Sequence, residues 1–485
     1  MRRTAGTTAP TATTAAAAPS VTAGAPGAVG RTVAVVVTGS MMSVLDMTIV
    51  NVALHRLSEA FDASLATVQW ATTAYTLALA AVIPTAAWAM GRIGAKRTYL
   101  TALVLFTLGS LLAACAWDAG SLIAFRAVQG FGGGLLMPVG MAMVLRAADR
   151  ARLGRAMALL GLPVLVGPVV GPVLGGWLID TASWRWIFLV NLPVGAAALA
   201  LAAVLLRPDL PRPRPGTPSV APKLDVPGLL TLSPGLTLLV FGLARGGAGG
   251  DLAAPDALFP AVGGAVLVAA FARRSLTTRH PLLDLRLLRD RTFAASAATL
   301  ALFACGYFGS MLLGPVYWQQ ARGLSAASAG LLGAPVGLVV GTTMQIAARR
   351  IDSVSPRRLI LPGIAFGALG MALNALQIGS PGVPAWRLVA ASMVMGLGAG
   401  MVLMPTMTIA ARGLPRDRAA AASTVLSINQ QVWASVGTAL VSVTLGSAGV
   451  DPAGFRTTYA LAAALLALAL VPAALLPARP HRRVD

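Results

Sequence analysis

Apolar runs of about 20 residues recur along nearly the whole chain, separated by short breaks rich in Arg, Pro and Gly. A run of that length crosses roughly 30 Å of hydrocarbon as a helix, and a helix satisfies its own backbone polar groups where no water is present. Read between the breaks, the pattern predicts an all-α integral membrane fold of fourteen helical spans. They lie near 32–54, 69–90, 98–117, 121–145, 156–178, 186–206, 226–244, 257–272, 293–317, 326–347, 359–378, 386–410, 419–446 and 457–477.

Composition agrees with lipid as the solvent. Of 485 residues, 56% are hydrophobic and 11% charged, and the mean hydropathy is +0.77. Too little polar surface remains to coat a soluble globule of this size. Residues 1–30, rich in Ala, Thr, Gly and Pro, hold too few large apolar side chains to fold or to act as a cleaved signal, and read as a disordered cytoplasmic tail. Cys115 and Cys305 both lie inside apolar runs, which implies neither a disulfide framework nor a metal cluster.

Charge fixes the topology. A net charge of +21 would suit a nucleic-acid binder, but the basic residues form short clusters between spans and no single stripe, so no nucleic-acid partner is expected. Lys and Arg gather in every second loop, beginning with Arg2, Arg3 and Arg31, then Arg92, Lys96 and Arg97, and so on to Arg479. The intervening loops hold only Arg56, Arg185, Arg245, Arg322, Arg387 and Arg456. One missed or invented span would reverse this alternation downstream, so the positive-inside rule makes the number of spans even and places both termini in the cytoplasm. Nearly all of the 37 basic residues are Arg, Lys96 and Lys223 being the exceptions. With the high Ala and Gly content, that bias points to a GC-rich bacterial genome and to a bacterial plasma membrane.

An internal echo organises the spans. Gly130-Phe-Gly-Gly-Gly134 with Met137-Pro138 lies in the fourth, and Gly396-Leu-Gly-Ala-Gly400 with Met404-Pro405 in the twelfth. Two parallel six-helix halves, 31–206 and 293–477, follow, with the helix pair 226–274 inserted between them. Cytoplasmic linkers 207–225 and 275–292 would join these parts, and 478–485 would form a short tail.

An ionisable group in hydrocarbon is costly enough to suggest function. Two stand deep within spans, Asp46 and Arg126. At about 1.5 Å per residue, Asp46 lies roughly 22 Å beyond Arg31, and Arg126 roughly 7 Å inside the outer start of its span. Both fall in the outer half of the membrane, within reach of one another. Burial raises a carboxyl pKa and a nearby Arg lowers it, so a pocket that opens and closes would change the proton occupancy of Asp46. The plainer readings are a static ion pair between two helices, or an Arg126 that snorkels to the interface.

Gly167, Gly171 and Gly175 recur every four residues and form one smooth stripe for close helix approach, while Pro163, Pro168 and Pro172 permit bending. A gating helix or a generic tight contact would both use such a stripe. Asn51, Tyr75, Gln129, Gln345, Asn429, Gln430 and Gln431 are further polar groups in spans, suited either to lining a cavity or to bonding between helices. Among many Met, Leu and Phe they suit an amphipathic guest better than a sugar. His55, His280 and His481 are isolated in sequence and no loop is long enough for a catalytic domain, which argues against an enzyme and against a metal or other cofactor.

Leu45-Asp46-Met-Thr-Ile-Val-Asn51 resembles the first-span signature of the fourteen-helix drug:proton antiporters of the major facilitator superfamily. Arg126-Ala-Val-Gln129-Gly130 resembles that superfamily's motif B. Gly167-Pro168, Gly171-Pro172 and Gly175-Gly176 resemble its antiporter motif C, and Trp184-Arg185-Trp186 through Asn191-Leu-Pro193 another hallmark of the branch. Arg92, Gly94, Lys96 and Arg97 match motif A, but Ala87 and Gly91 replace its usual first glycine and its aspartate. The resemblance implies alternating-access export of hydrophobic or cationic small molecules against inward proton flow, with Asp46 and Arg126 as the coupling pair. It implies a monomer in the lipid bilayer and a cytoplasmic latch weakened by the missing aspartate. A transporter of another small organic solute is the alternative.

Overall fold

The computed structural model describes residues 26–148, 150–206, 224–278, 281–351, 353–378, 382–412, 414–415, 418–449 and 451–478. Among these every regular element is a helix. In chain order they are α1 (Pro26–Ala60), α2 (Leu65–Val82), α3 (Ala86–Ile93), α4 (Ala95–Ala114), α5 (Ala119–Ala147), α6 (Arg150–Leu160), α7 (Leu162–Thr181), α8 (Trp186–Leu189), α9 (Asn191–Leu205), α10 (Val226–Gly249) and α11 (Pro255–Thr277). Then follow α12 (Arg291–Ser310), α13 (Leu313–Val316), α14 (Ala326–Arg350), α15 (Pro356–Ile378), α16 (Ala385–Arg412), α17 (Ala419–Ala448), α18 (Pro452–Leu468) and α19 (Leu470–Ala473).

Every predicted span falls on helix, and the differences sit at Pro and Gly. Pro84 has no N–H to continue α2, so the chain passes through a 3₁₀ turn at Ile83–Thr85 before α3 resumes. Gly161 divides the fifth run into α6 and α7. α1 starts at Pro26, inside the segment expected as a tail, because Pro at a helix start loses no hydrogen bond. The rest of that tail, most of the 207–225 linker and nearly all of 478–485 lie outside the described residues. The 275–292 linker is ordered where described, with a 3₁₀ turn at Leu285–Arg289.

Among the described residues, twelve helical stretches are long and apolar enough to cross a membrane. α17 lies outside that set, where the run Asn429-Gln430-Gln431 lowers the hydropathy, and so does α7, which is apolar along its 20 residues but has several side chains outside the described residues.

α1 packs on α7, α5 and α9, while α5 packs on α2 and α4. Farther along, α16 packs on α14 and α15, and α12 on α17. Glycines make the α5 and α16 contacts close, and they do so in the same arrangement. Gly130 and Gly134 face Tyr75 and Leu79 of α2 while Gly132 faces Ala102 and Phe106 of α4; likewise Gly396 and Gly400 face Val336 and Val340 of α14 while Gly398 faces Gly363 and Gly367 of α15. The echo in the sequence is thus an echo in packing.

The two groups of helices meet at the arginine-rich end. Gly154 of α6 lies against Ala348 and Ile351, and Gly161 against Met344 and Met404. α17 is buried through Leu426 and only half-buried from Ser427 through Val436, so the molecule is tighter at that end than beyond it.

Candidate functional site: a buried ion pair

α5 opens with a capping box that fixes where its first turn begins. The Asp118 carboxylate accepts from the Ser121 N–H at 2.7 Å, and the Ser121 hydroxyl oxygen accepts from the Asp118 N–H at 3.1 Å. The bond from the Ser121 N–H, aided by the nearby Ser121 hydroxyl, holds the exposed Asp118 carboxyl below its ordinary pKa. Two turns further in, α5 carries Arg126 and, one turn later on the same face, Gln129.

Both side chains point at Asp46 of α1. Arg126 Nη1 donates to Asp46 Oδ2 at 2.5 Å and to Gln129 Oε1 at 2.6 Å, and Gln129 Nε2 donates to Asp46 Oδ1 at 2.7 Å. Asn191, the first residue of α9, donates Nδ2 to Asp46 Oδ1 at 2.9 Å and to Ser110 Oγ of α4 at 3.0 Å; Ser110 in turn donates to the Phe188 carbonyl at 2.9 Å. Asp46, Arg126 and Gln129 are each 0% exposed. Isolated charges would be prohibitively expensive there, and only the pairing with its satellite hydrogen bonds makes the site tenable.

Arg126 Nε and Nη2 have no hydrogen-bond acceptor among the described residues. Aromatic faces flank the guanidinium instead, with its central carbon 4.4 Å from the Tyr75 ring centroid and 5.7 Å from that of Phe188. The Tyr75 hydroxyl shares a hydrogen bond of 2.9 Å with Ser43 of α1. Gly109 of α4 lies directly against the Gln129 backbone, which lets α4 and α5 approach closely enough for Ser110 to join the cluster.

The glycine stripe of α7 lies against the same stretch of α1. Gly167 faces Val44, Gly171 faces Thr48 and Gly175 faces Ile49, and Thr48 Oγ1 donates to the Gly167 carbonyl at 3.2 Å. A methyl group at Gly176 would meet nothing within 4 Å. Pro168, Pro172 and Asn51 are on these helices, but their side chains lie outside the described residues.

Other candidates sit apart from the pair. Asn429 is half-buried and donates to the Ala297 carbonyl at 3.0 Å, and Gln430 is half-buried beside it. In the loop between α3 and α4, Gly94 has φ +86°, a conformation only glycine takes without strain. Lys96 Nζ donates to the carbonyls of Ala203 and Leu206 at 2.6 and 2.7 Å, capping the end of α9, whereas Arg92 and Arg97 are exposed.

Sequence reasoning singled out Asp46 and Arg126 but not Ser110 or Asn191 as members of this site. Asn191 had a signal, since it stands in the Trp184 to Pro193 motif. Ser110 had none, because a serine in an apolar helix is commonplace.

A sequence profile described as the Major Facilitator Superfamily matches residues 36–438. The chain belongs to this superfamily. The transporter is 44% identical over 416 residues to the Multidrug resistance protein B homolog of Mycobacterium tuberculosis, covering 86% of this chain and 76% of the relative. It is 30% identical over 465 residues to the Putative multidrug resistance protein MdtD of Escherichia coli, covering 93% and 95%. Among solved structures it shares the fold of the human organic anion transporter MFSD10, with TM-score 0.63, 16% identity and coverage of 92% and 99%. It also shares that of the proton:xylose symporter XylE, with TM-score 0.64, 13% identity and coverage of 92% and 95%. The transporter is a multi-pass membrane protein and not an enzyme.

Proposed function

We propose that the transporter is a proton-coupled antiporter that exports hydrophobic or cationic drugs, antibiotics or related metabolites across a bacterial plasma membrane by alternating access. The buried Asp46–Arg126 pair carries the reading. A carboxylate at 0% exposure whose one charged partner among the described residues is a guanidinium must respond strongly to any motion that separates them, since solvent or a proton then has to replace Arg126. The names of the multidrug-resistance relatives support the substrate class, as does an apolar chain with 17 Met and with amide groups on α17.

In this reading α6–α7 and α17 also cross the bilayer, giving fourteen spans with both termini in the cytoplasm. Residues 31–206 and 293–477 form the two halves that rock against each other, and α10 and α11 form the inserted pair. α10 supports that placement by packing on α2 of one half and α17 of the other. Contacts of α6 with α14 and α16 close the cytoplasmic side. The protein works as a monomer, needs no cofactor, and exchanges substrate with protons at Asp46.

The test is transport by purified protein in lipid vesicles under an imposed pH gradient, with a panel of dyes, antibiotics and metabolites. Wild type should concentrate at least one compound and move protons in the opposite direction, and Asp46→Asn should do neither while remaining inserted. Concentrative transport by Asp46→Asn would remove Asp46 from the mechanism.

A further inference from the structure

The hydrogen bonds around Asp46 determine which protonation state this conformation accepts. Ser110 commits its one hydroxyl hydrogen to the Phe188 carbonyl at 2.9 Å, so its oxygen can only accept from Asn191. That forces the Asn191 carboxamide to present its NH2 to both Ser110 and Asp46. Gln129 is forced in the same way, because its Oε1 accepts from Arg126 and its Nε2 is thereby turned to Asp46. Asp46 Oδ1 therefore meets two N–H donors, and Oδ2 meets a guanidinium. Among the described residues every hydrogen-bond partner of the two oxygens is a donor, so a protonated Asp46 would set O–H against N–H.

We propose that Asn191 and Ser110 are positioning residues that make the closed cluster admit only ionised Asp46, so that proton uptake requires α1, α5 and α9 to move relative to one another. The inference rests on Asp46 being the proton acceptor proposed above. The step is simple in balance: a proton from solution forms an O–H bond on Asp46 Oδ1, the Gln129 and Asn191 N–H contacts to that oxygen give way, and the site gains one positive charge. The new O–H has to find an acceptor, and the Asn191 and Gln129 carbonyls provide one only after those amides turn.

Other ionisable groups do not explain the selectivity. Arg126 on α5 faces Asp46, and Tyr75 on α2 has its hydroxyl on Ser43. α8 and α9 bring no ionisable side chain. On α4, Lys96 and Arg97 stand at the opposite end from Ser110; on α6, Arg155 is exposed; Asp180 stands at the far end of α7.

The decisive substitution is Ser110→Ala. It deletes one oxygen, leaves Asp46, Arg126 and Gln129 in place, and frees the Asn191 amide to turn its carbonyl to a protonated Asp46. The pH midpoint of substrate-evoked proton release should rise by about one unit, the scale of one hydrogen bond to a carboxyl group. Asn191→Leu, which removes the donor outright, should move it the same way. In an Asp46→Asn background, where no carboxyl remains to take up a proton, Ser110→Ala should produce no shift in the pH dependence of gradient-independent substrate exchange. An unmoved midpoint in both single variants would overturn the proposal while leaving the role of Asp46 intact. An equal effect of Ser110→Ala with and without Asp46 would show packing alone and overturn it too. Proton release that persists in Asp46→Asn would instead defeat the parent reading.

Discussion

Gly171 of α7 sits against the hydroxyl of Thr48 on α1 with no room for a methyl group between them, two residues along the chain from Asp46. The helix that bears the buried carboxylate is therefore seated on α7 by the absence of a side chain. Gly171→Ala should push the helices apart at an overpacking cost of about 1–3 kcal/mol and reduce transport. Thr48→Ala should restore part of both, whereas Gly176→Ala, where nothing lies within 4 Å, should behave as wild type. Thermal unfolding in detergent and vesicle transport check all three.

Arg126→Lys should not preserve function. A single ammonium lacks the planar fork that bridges Asp46 and Gln129 while lying between the Tyr75 and Phe188 rings. Transport should fall at least roughly tenfold, the equivalent of about 1.4 kcal/mol. Arg126→Ala leaves a carboxylate buried without its partner and should lower stability by about 3–5 kcal/mol. Adding Asp46→Asn to Arg126→Ala should recover part of that stability, which a double-mutant cycle measures.

Asp225 joins α10 to the segment before α12. Burial alone would raise its pKa, but the Arg274 guanidinium and the N–H groups of Gly228 and Leu282 outweigh burial and hold it below the ordinary 3.8. A lowered folded pKa means that the carboxylate's stabilisation is fully present above the unfolded value and is lost as pH falls through the folded one. Amide exchange at Gly228 and Leu282 should thus stay slow at neutral pH and quicken in wild type only below about pH 4. In Asp225→Asn it should be fast throughout.

The basic residues of the loop between α3 and α4 should separate by role. Lys96→Ala removes the cap on the Ala203 and Leu206 carbonyls and should destabilise the end of α9 by about 0.5–1 kcal/mol. Arg92→Ala and Arg97→Ala, both at exposed positions, should leave unfolding unchanged, and Gly94→Ala should lower it because φ there is +86°. Melting curves of the four variants under one condition make the comparison.

The helices were legible because a membrane span must be apolar, continuous and about 20 residues long, and few soluble features imitate that. Their interruptions at Pro84 and Gly161 were harder to foresee, since proline and glycine are tolerated within membrane helices and only neighbouring contacts decide whether a helix breaks. Asp46 and Arg126 stood out because charge in hydrocarbon is rare. Tyr75 and Gln129 were grouped with cavity candidates because their chemistry is neutral, and only the placement of α2 and α5 brings them to the ion pair. The link through Ser110 depends on Gly109 bringing α4 against α5, a relation between distant segments to which one chain's pattern is blind.

The matching glycines of α5 and α16 align Gly130 with Gly396, and so align Arg126 with Ser392 and Gln129 with Met395. Among the described residues the Ser392 hydroxyl accepts from a neutral amide, Asn374 Nδ2, at 3.1 Å. If the pair arose from one ancestral segment, charge survived in a single copy. The other copy carries no electrostatic debt, so a change there alters shape without disturbing the ion pair. New transport profiles should therefore arise first through substitutions on α14 to α17, and a laboratory selection for an altered substrate range should leave α1 and α5 untouched.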